Sequence, residues 1–178
     1  MGSYCEVARG NPLHRPFHDC EHGFPVRDEA LLFERLALEI MQAGLSWELV
    51  LKRRESLSRA FAGFVVDRVA AFDDADVARL LADPGIVRNR LKVLALIANA
   101  RTLQGLRTSH GGFAAWLDAH HPRTRPEWVK LFRRTFKFTG GEIVGEFLMG
   151  VGYLPGAHTP DCPVFATVAR LDPPWMRA

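Results

Sequence analysis

Glu39 is the first residue in this chain whose setting asks for a chemical explanation. It lies on a helical stripe with Leu32, Leu36 and Ala43, so a carboxylate points with apolar side chains. An ionised carboxylate buried there must be paired with a cation, be protonated, or serve a site. An arginine at the core edge would meet the first need; the neighbours Gln42, Gly44, Leu45, Ser46 and Trp47 favour the last. A second group is Cys5 and His18 near one end with His158 and Cys162 near the other. Two thiolates and two imidazoles make a closed tetrahedral zinc set, structural rather than catalytic. With seven histidines in the chain, spacing alone supports it weakly. Cys20 stands near His18 and reads as a free thiol.

Two further segments suit a polyanion. Residues 74–92 place a short helix, a Pro84-Gly85 turn and Arg88, Arg90 and Lys92 in succession. Backbone amides and cations in that order form a phosphate cradle, although a tight helical turn with a solvated basic face has the same pattern. Phe136, Lys137 and Phe138 precede Gly140 and Gly141, an aromatic and basic cluster suited to stacking on bases and equally to core packing. The GxxxxGK and GxSxG patterns are absent, which removes the usual sequence support for nucleotide or serine hydrolysis.

The elements holding these groups read as helices. Asp28 caps a predicted helix ending near Gly44, and Ser46 caps a second through Trp47, Leu49, Val50 and Lys52. Further helices are predicted at about 55–63 and 67–72, then one opened by Asp73, Asp74 and Asp76 that stops before Pro84. A long helix spans about 87–106, and shorter ones about 113–119, 127–134 and 141–152. No period-two run of β-branched residues appears, so the fold class is all-α.

At 178 residues, with 48% hydrophobic and 24% charged side chains, the chain suits one packed domain over 1–178. Its net charge of +3 permits an anionic partner without requiring one, so the distribution of charge must decide. No apolar run reaches the length of a signal peptide or a membrane span, so a soluble intracellular protein with no membrane partner is expected.

In order along the chain, these residues resemble the DNA-3-methyladenine glycosylase I family, zinc-containing members of the helix-hairpin-helix glycosylase superfamily. The likeness runs from Cys5 to Cys162 and is strongest at Glu39 with Gln42-Ala-Gly-Leu-Ser-Trp47, at Val50 to Glu55, at Gly85-Ile-Val-Arg-Asn-Arg90 with Lys92, and at Phe136-Lys-Phe. The resemblance implies a compact helical fold, with the helix-hairpin-helix at about 74–106. It also implies terminal segments, about 5–18 and 158–162, joined by structural zinc on Cys5, His18, His158 and Cys162. It implies monofunctional excision of 3-methyladenine from double-stranded DNA by base flipping, in a monomer of the bacterial cytoplasm. Glu39 would then hydrogen-bond the extruded base and Trp47 stack on it, with Phe17, Val7, His14 and Gln42 completing the pocket. Gly85, Arg88, Arg90, Lys92 and Lys137 would hold DNA.

Departures from the family pattern concentrate on the pocket. Val7 and His22 stand where tryptophans are usual, and His14 and Phe17 where tyrosines are. Gly141-Glu142 and Gly145-Glu146 replace Thr-Thr and Tyr-Ser, Met149 replaces Gln, and Gly156-Ala157 replace Asn-Asp. The rival expectation is a damaged-DNA binding protein of the same fold, with altered lesion preference or without catalysis. A third is a helical scaffold for another protein.

Overall fold

The computed structural model describes residues 3–177, and among them every regular element is helical. In chain order the helices are α1 (Tyr4–Ala8), α2 (Arg15–Cys20), α3 (Glu29–Gln42), α4 (Trp47–Ala60), α5 (Val66–Ala70), α6 (Asp74–Ala82), α7 (Arg90–His110), α8 (Phe113–His120), α9 (Arg125–Thr135), α10 (Gly141–Gly150) and α11 (Pro163–Ala169). Short 3-10 turns occur at Ala62–Phe64 and Pro174–Arg177. No helix among the described residues is long and apolar enough to cross a membrane.

Local chemistry sets the helix starts. The side chains of Asp28, Ser46, Asp73 and Asn89 accept from the amides of Leu31, Leu49, Asp76 and Lys92, satisfying donors that have no partner within the helix. The Asn89 cap explains why α7 begins at Arg90 rather than near 87. The helices expected at 46–52 and 55–63 are one, because nothing between Lys52 and Glu55 breaks the backbone; α4 runs unbroken to Ala60. Gly44, at φ +79, makes the tight turn from α3 into α4 in a region few side chains tolerate. The terminal helices α1, α2 and α11, of five to seven residues each, were not expected from periodicity.

Helix α3 is central, packing against α4, α5, α7, α8 and α10. Leu32, Phe33, Leu36 and Ile40 are fully buried in a core shared with Val93, Leu96, Phe113, Trp128, Phe132 and Phe147. Each such side chain contributes about 1.5–3 kcal/mol through removal from water. Glu39 thus projects from a helix that is packed on several sides.

The hairpin between α6 and α7 is fastened from behind. Arg53 Nη1 donates to the carbonyls of Pro84 (3.0 Å) and Ile86 (2.9 Å), and Asp83 Oδ1 accepts from the Gly85 amide at 2.7 Å. Gly85 therefore serves the turn. A Cβ there would sit 3.0 Å from Ser56 Cβ.

Candidate active site

A cavity of about 670 Å³ opens between α3, α4, the N-terminal helices and α10, large enough for a purine base. Glu39, Gln42, Ala43, Gly44 and Trp47 form one wall. Tyr4, Phe17 and His22 form a second, and Gly140 to Ile143 with Glu146 the third. Phe17 and Trp47 meet edge to face, with centroids 5.1 Å apart. Trp47 Nε1 donates to Tyr4 Oη at 3.2 Å, and Gln42 Nε2 donates to the Leu45 carbonyl at 2.9 Å, so both pocket side chains are held before any ligand arrives.

Glu39 makes no hydrogen bond to any described residue, and burial followed by the charge of Glu146 pushes its carboxyl up to about 8, against the opposing effect of Arg35. Burial also raises Glu146, with Glu142 adding to the effect and Arg125 opposing it. Burial drives Tyr4 up to about 12 despite its bond from Trp47, with the charges of Glu39 and Glu21 acting in the same direction. Burial, and then the nearby charges of His158, His18 and Arg35, push His22 down to about 3. Aromatic faces beside a waiting carboxylate suit a flat ring that carries positive charge.

Of the pocket residues inferred from sequence, Glu39, Trp47, Phe17 and Gln42 line the cavity. Val7 and His14 do not. Val7 lies on the outer face of α1, 51% exposed, because five helical residues that bury Cys5 and Ala8 must turn Val7 to solvent. His14 is buried behind the wall, with Nδ1 3.3 Å from Tyr4 Oη. Tyr4, which spacing did not single out, is the phenol that reaches the cavity. Its signal in the sequence is its place directly before Cys5, which the cluster with His158 anchors. Phe17 is fixed from beneath by Arg35, whose guanidinium lies 5.1 Å from the ring centroid, and Arg35 and Arg54 both pair with Glu21.

The basic residues divide. Arg88 and Arg90 are exposed at the hairpin, and Lys137 is exposed on the loop after α9. Lys92 corrects the DNA-holding set, since it is 4% exposed and Nζ donates to the carbonyls of Met41 (2.8 Å) and Ala43 (2.6 Å). Its charge closes the C-terminus of α3, where carbonyls lack helical partners. Asn99 grips the Lys137 backbone from both sides, accepting from its amide at 2.7 Å and donating to its carbonyl at 3.1 Å. That loop carries Phe138, 38% exposed beside a groove that shares Gly140 and Ile143 with the cavity. Arg133 continues this groove into another lined by Lys130 and Arg134, a basic run on α9 that the sequence reading did not include.

Cys5, His18, His158 and Cys162 are all buried, and their ligand atoms lie within 4.8 Å of one another. Cys5 Sγ is 3.7 Å from His158 Nδ1, and Cys162 Sγ is 3.8 Å from both His18 Nε2 and His158 Nδ1. A tetrahedral ion with ordinary Zn–S and Zn–N bonds sets such edges at about 3.6 Å. The far nitrogens are also occupied: His158 Nε2 is 2.7 Å from the His22 carbonyl and His18 Nδ1 2.7 Å from Asp19 Oδ1. Those partners fix the tautomers that aim a lone pair from each ring at the cluster centre. The residues present fit a four-coordinate metal. Cys20 is exposed and outside the cluster.

Residues 7–166 match the family model described as methyladenine glycosylase. The chain is 34% identical over 177 residues to DNA-3-methyladenine glycosylase 1 of Escherichia coli (strain K12), covering 89% of this chain and 94% of that protein. It is 29% identical over 182 residues to the DNA-3-methyladenine glycosylase of Haemophilus influenzae, covering 92% and 98%. Among solved structures, 3-methyladenine DNA glycosylase I of Staphylococcus aureus superposes with a TM-score of 0.82 at 30% identity, covering 90% of this chain and 95% of that one. A Tyr-to-Phe variant of 3-methyladenine DNA glycosylase I bound to 3-methyladenine does so with a TM-score of 0.82 at 31% identity, covering 90% and 96%.

Proposed function

The chain belongs to the methyladenine glycosylase family, and from that premise we propose how its own residues divide the work of the reaction. It is a DNA N-glycosylase of base-excision repair that releases 3-methyladenine. The observation that carries the assignment of roles is the unpartnered Glu39 carboxylate facing a cavity walled by Trp47 and Phe17.

Methylation at a ring nitrogen leaves the base cationic. When the bond from C1′ to N9 breaks, its electron pair neutralises the base, and water supplies hydroxide to C1′ while its second proton goes to solvent. The leaving group needs no protonation, so the residues serve to extract and hold the nucleotide and to favour charge moving onto the sugar. Glu39 accepts a hydrogen bond from the extruded base and its anion stabilises the positive charge on base and sugar. Trp47, steadied by Tyr4, stacks on the ring. Double-stranded DNA lies across the hairpin, with Arg88 and Arg90 against phosphate and Lys137 on the neighbouring loop that Asn99 holds.

Cys5, His18, His158 and Cys162 would hold one structural zinc. Through it these residues would tie α1 and α2, which carry Tyr4 and Phe17, to the segment at 158–162, apart from the reacting atoms. We place the enzyme as a monomer in a bacterial cytoplasm, its relatives in Escherichia coli and Haemophilus influenzae being bacterial proteins. Purified protein incubated with methylated DNA should release free 3-methyladenine on chromatography, and Glu39→Gln should slow that release at least about a hundredfold. DNA binding without release of any base by the wild type would replace this reading with that of a non-catalytic lesion binder.

A further inference from the structure

Glu146 is the pocket carboxylate that the reaction proposed above does not use. It lies on α10, facing the same cavity as Glu39 on α3, so two carboxylates approach one base-sized space from different walls. A neutral base in that space would leave them repelling each other. Bases alkylated at a ring nitrogen bring the missing positive charge.

The residue before it, Gly145, serves the same end. Arg125 of α9 lies flat against α10 at Gly145, where any Cβ would overlap its guanidinium. From there Arg125 Nη2 lies 3.3 Å from both the Gly141 carbonyl and Glu142 Oε1, and its charge favours the ionised form of Glu146. Any side chain at 145 would displace Arg125 from this seat. The glycine and the glutamate therefore form one unit, in which the first admits a cation whose charge favours the anion of the second against its burial. Arg125 stands behind the wall, outside the cavity lining, so the cavity itself remains negative.

We infer that Glu146 is a second base-reading carboxylate, and that Glu39 and Glu146 together form a two-anion clamp selecting purines with a positive charge over neutral bases of the same shape. The inference rests on the base pocket proposed above and makes charge, rather than methyl-group shape alone, the property this chain reads. Without a base the pair is relieved by a proton, and a cationic base displaces it. The charged or titratable groups facing the pair are Arg35 on α3, Tyr4 and His22 on the N-terminal wall, and Arg125 and Glu142 beside Glu146. None of these places a cation within the cavity lining.

The test uses two free bases as ligands, 3,9-dimethyladeninium and its uncharged isostere 3-deaza-3,9-dimethyladenine, with binding followed by Trp47 fluorescence. The wild type should prefer the cation, and Glu146→Gln should reduce the ratio of the two affinities about tenfold, the equivalent of one pK unit. Glu39→Gln should reduce it as well, with the double variant losing less than the sum of the two. In parallel, the acid limb of 3-methyladenine release should move to lower pH by about one unit in Glu146→Gln, because Glu39 then ionises without a neighbouring anion. A merely structural Glu146 would move neither the affinity ratio nor the acid limb. If the wild type releases 3-methyladenine while both readouts are unmoved by Glu146→Gln, the clamp is wrong and the glycosylase assignment of the pocket stands. If the wild type releases no base and binds neither ligand, the base-pocket reading itself falls, and the clamp with it.

Discussion

The indole Nε1 of Trp47 donates to the hydroxyl of Tyr4 across 3.2 Å, joining the start of α4 to the start of α1 over the mouth of the base cavity. The same hydroxyl lies 3.3 Å from His14 Nδ1, so an aromatic plane intended for stacking is braced from two other elements. Bracing sets the angle at which the base is received and reduces what Trp47 loses in freedom when a ligand binds.

Tyr4→Phe removes that brace while keeping the ring. Affinity for free 3-methyladenine should fall about three- to tenfold, in line with one lost hydrogen bond of about 1 kcal/mol, with Tm nearly unchanged. An unaltered affinity in equilibrium fluorescence titration would show that the indole holds its plane without Tyr4.

Lys92 and the exposed arginines should separate cleanly. Lys92→Met leaves two α3 carbonyls without a donor and should cost about 2 kcal/mol in urea unfolding, with the salt dependence of DNA binding retained. Arg88→Ala and Arg90→Ala should each reduce the slope of log K against log salt by about one, with stability within about 0.5 kcal/mol of wild type. Arg133→Ala gives the same measurement for the groove along α9, and a flat response there would confine DNA to the hairpin side.

Zinc should be found at about one equivalent per chain by elemental analysis. Cys162→Ser should lose it and lower Tm, and because Phe17 rides on the tethered segment, 3-methyladenine binding should weaken too. A metal-free wild type of full thermal stability would rule out the site.

Glu39 gives a pH dependence of stability with a definite sign. Its carboxyl is raised from an ordinary 4.5 to about 8 in the fold, so the native state holds the proton more tightly than the unfolded chain. That contribution is complete below about 4.5 and is lost as pH rises through 8, so Glu39 destabilises the protein at alkaline pH. Glu39→Gln should therefore raise Tm at pH 9 by more than at pH 5. Equal changes at both pH values would mean that Glu39 is solvated as an ordinary carboxylate.

Much of this architecture could be read from residue order. The caps at Asp28, Ser46 and Asp73 mark true helix starts, and the stripe through Leu32, Leu36 and Glu39 sets the orientation of α3. Lys92 was misread because a lysine in the first turn of a helix has the same spacing whether it faces phosphate or turns inward to cap a neighbour. Val7 was misread because α1 is too short for periodicity to tell its buried side from its exposed one. The pairing of Gly145 with Arg125 spans twenty residues of sequence, and only the packing of α9 against α10 brings them together.

The cysteine and histidine cluster joins Cys5 to His158 and His18 to Cys162, partners separated by 153 and 144 positions. During synthesis on the ribosome, α1 and α2 emerge well before His158 and Cys162, which complete the cluster. The wall carrying Tyr4, Phe17 and His22 is therefore held first by its contacts to α3 and α4, Glu21 with Arg35 and Arg54 and Tyr4 with Trp47, and gains the tie to His158 and Cys162 once those residues have been made.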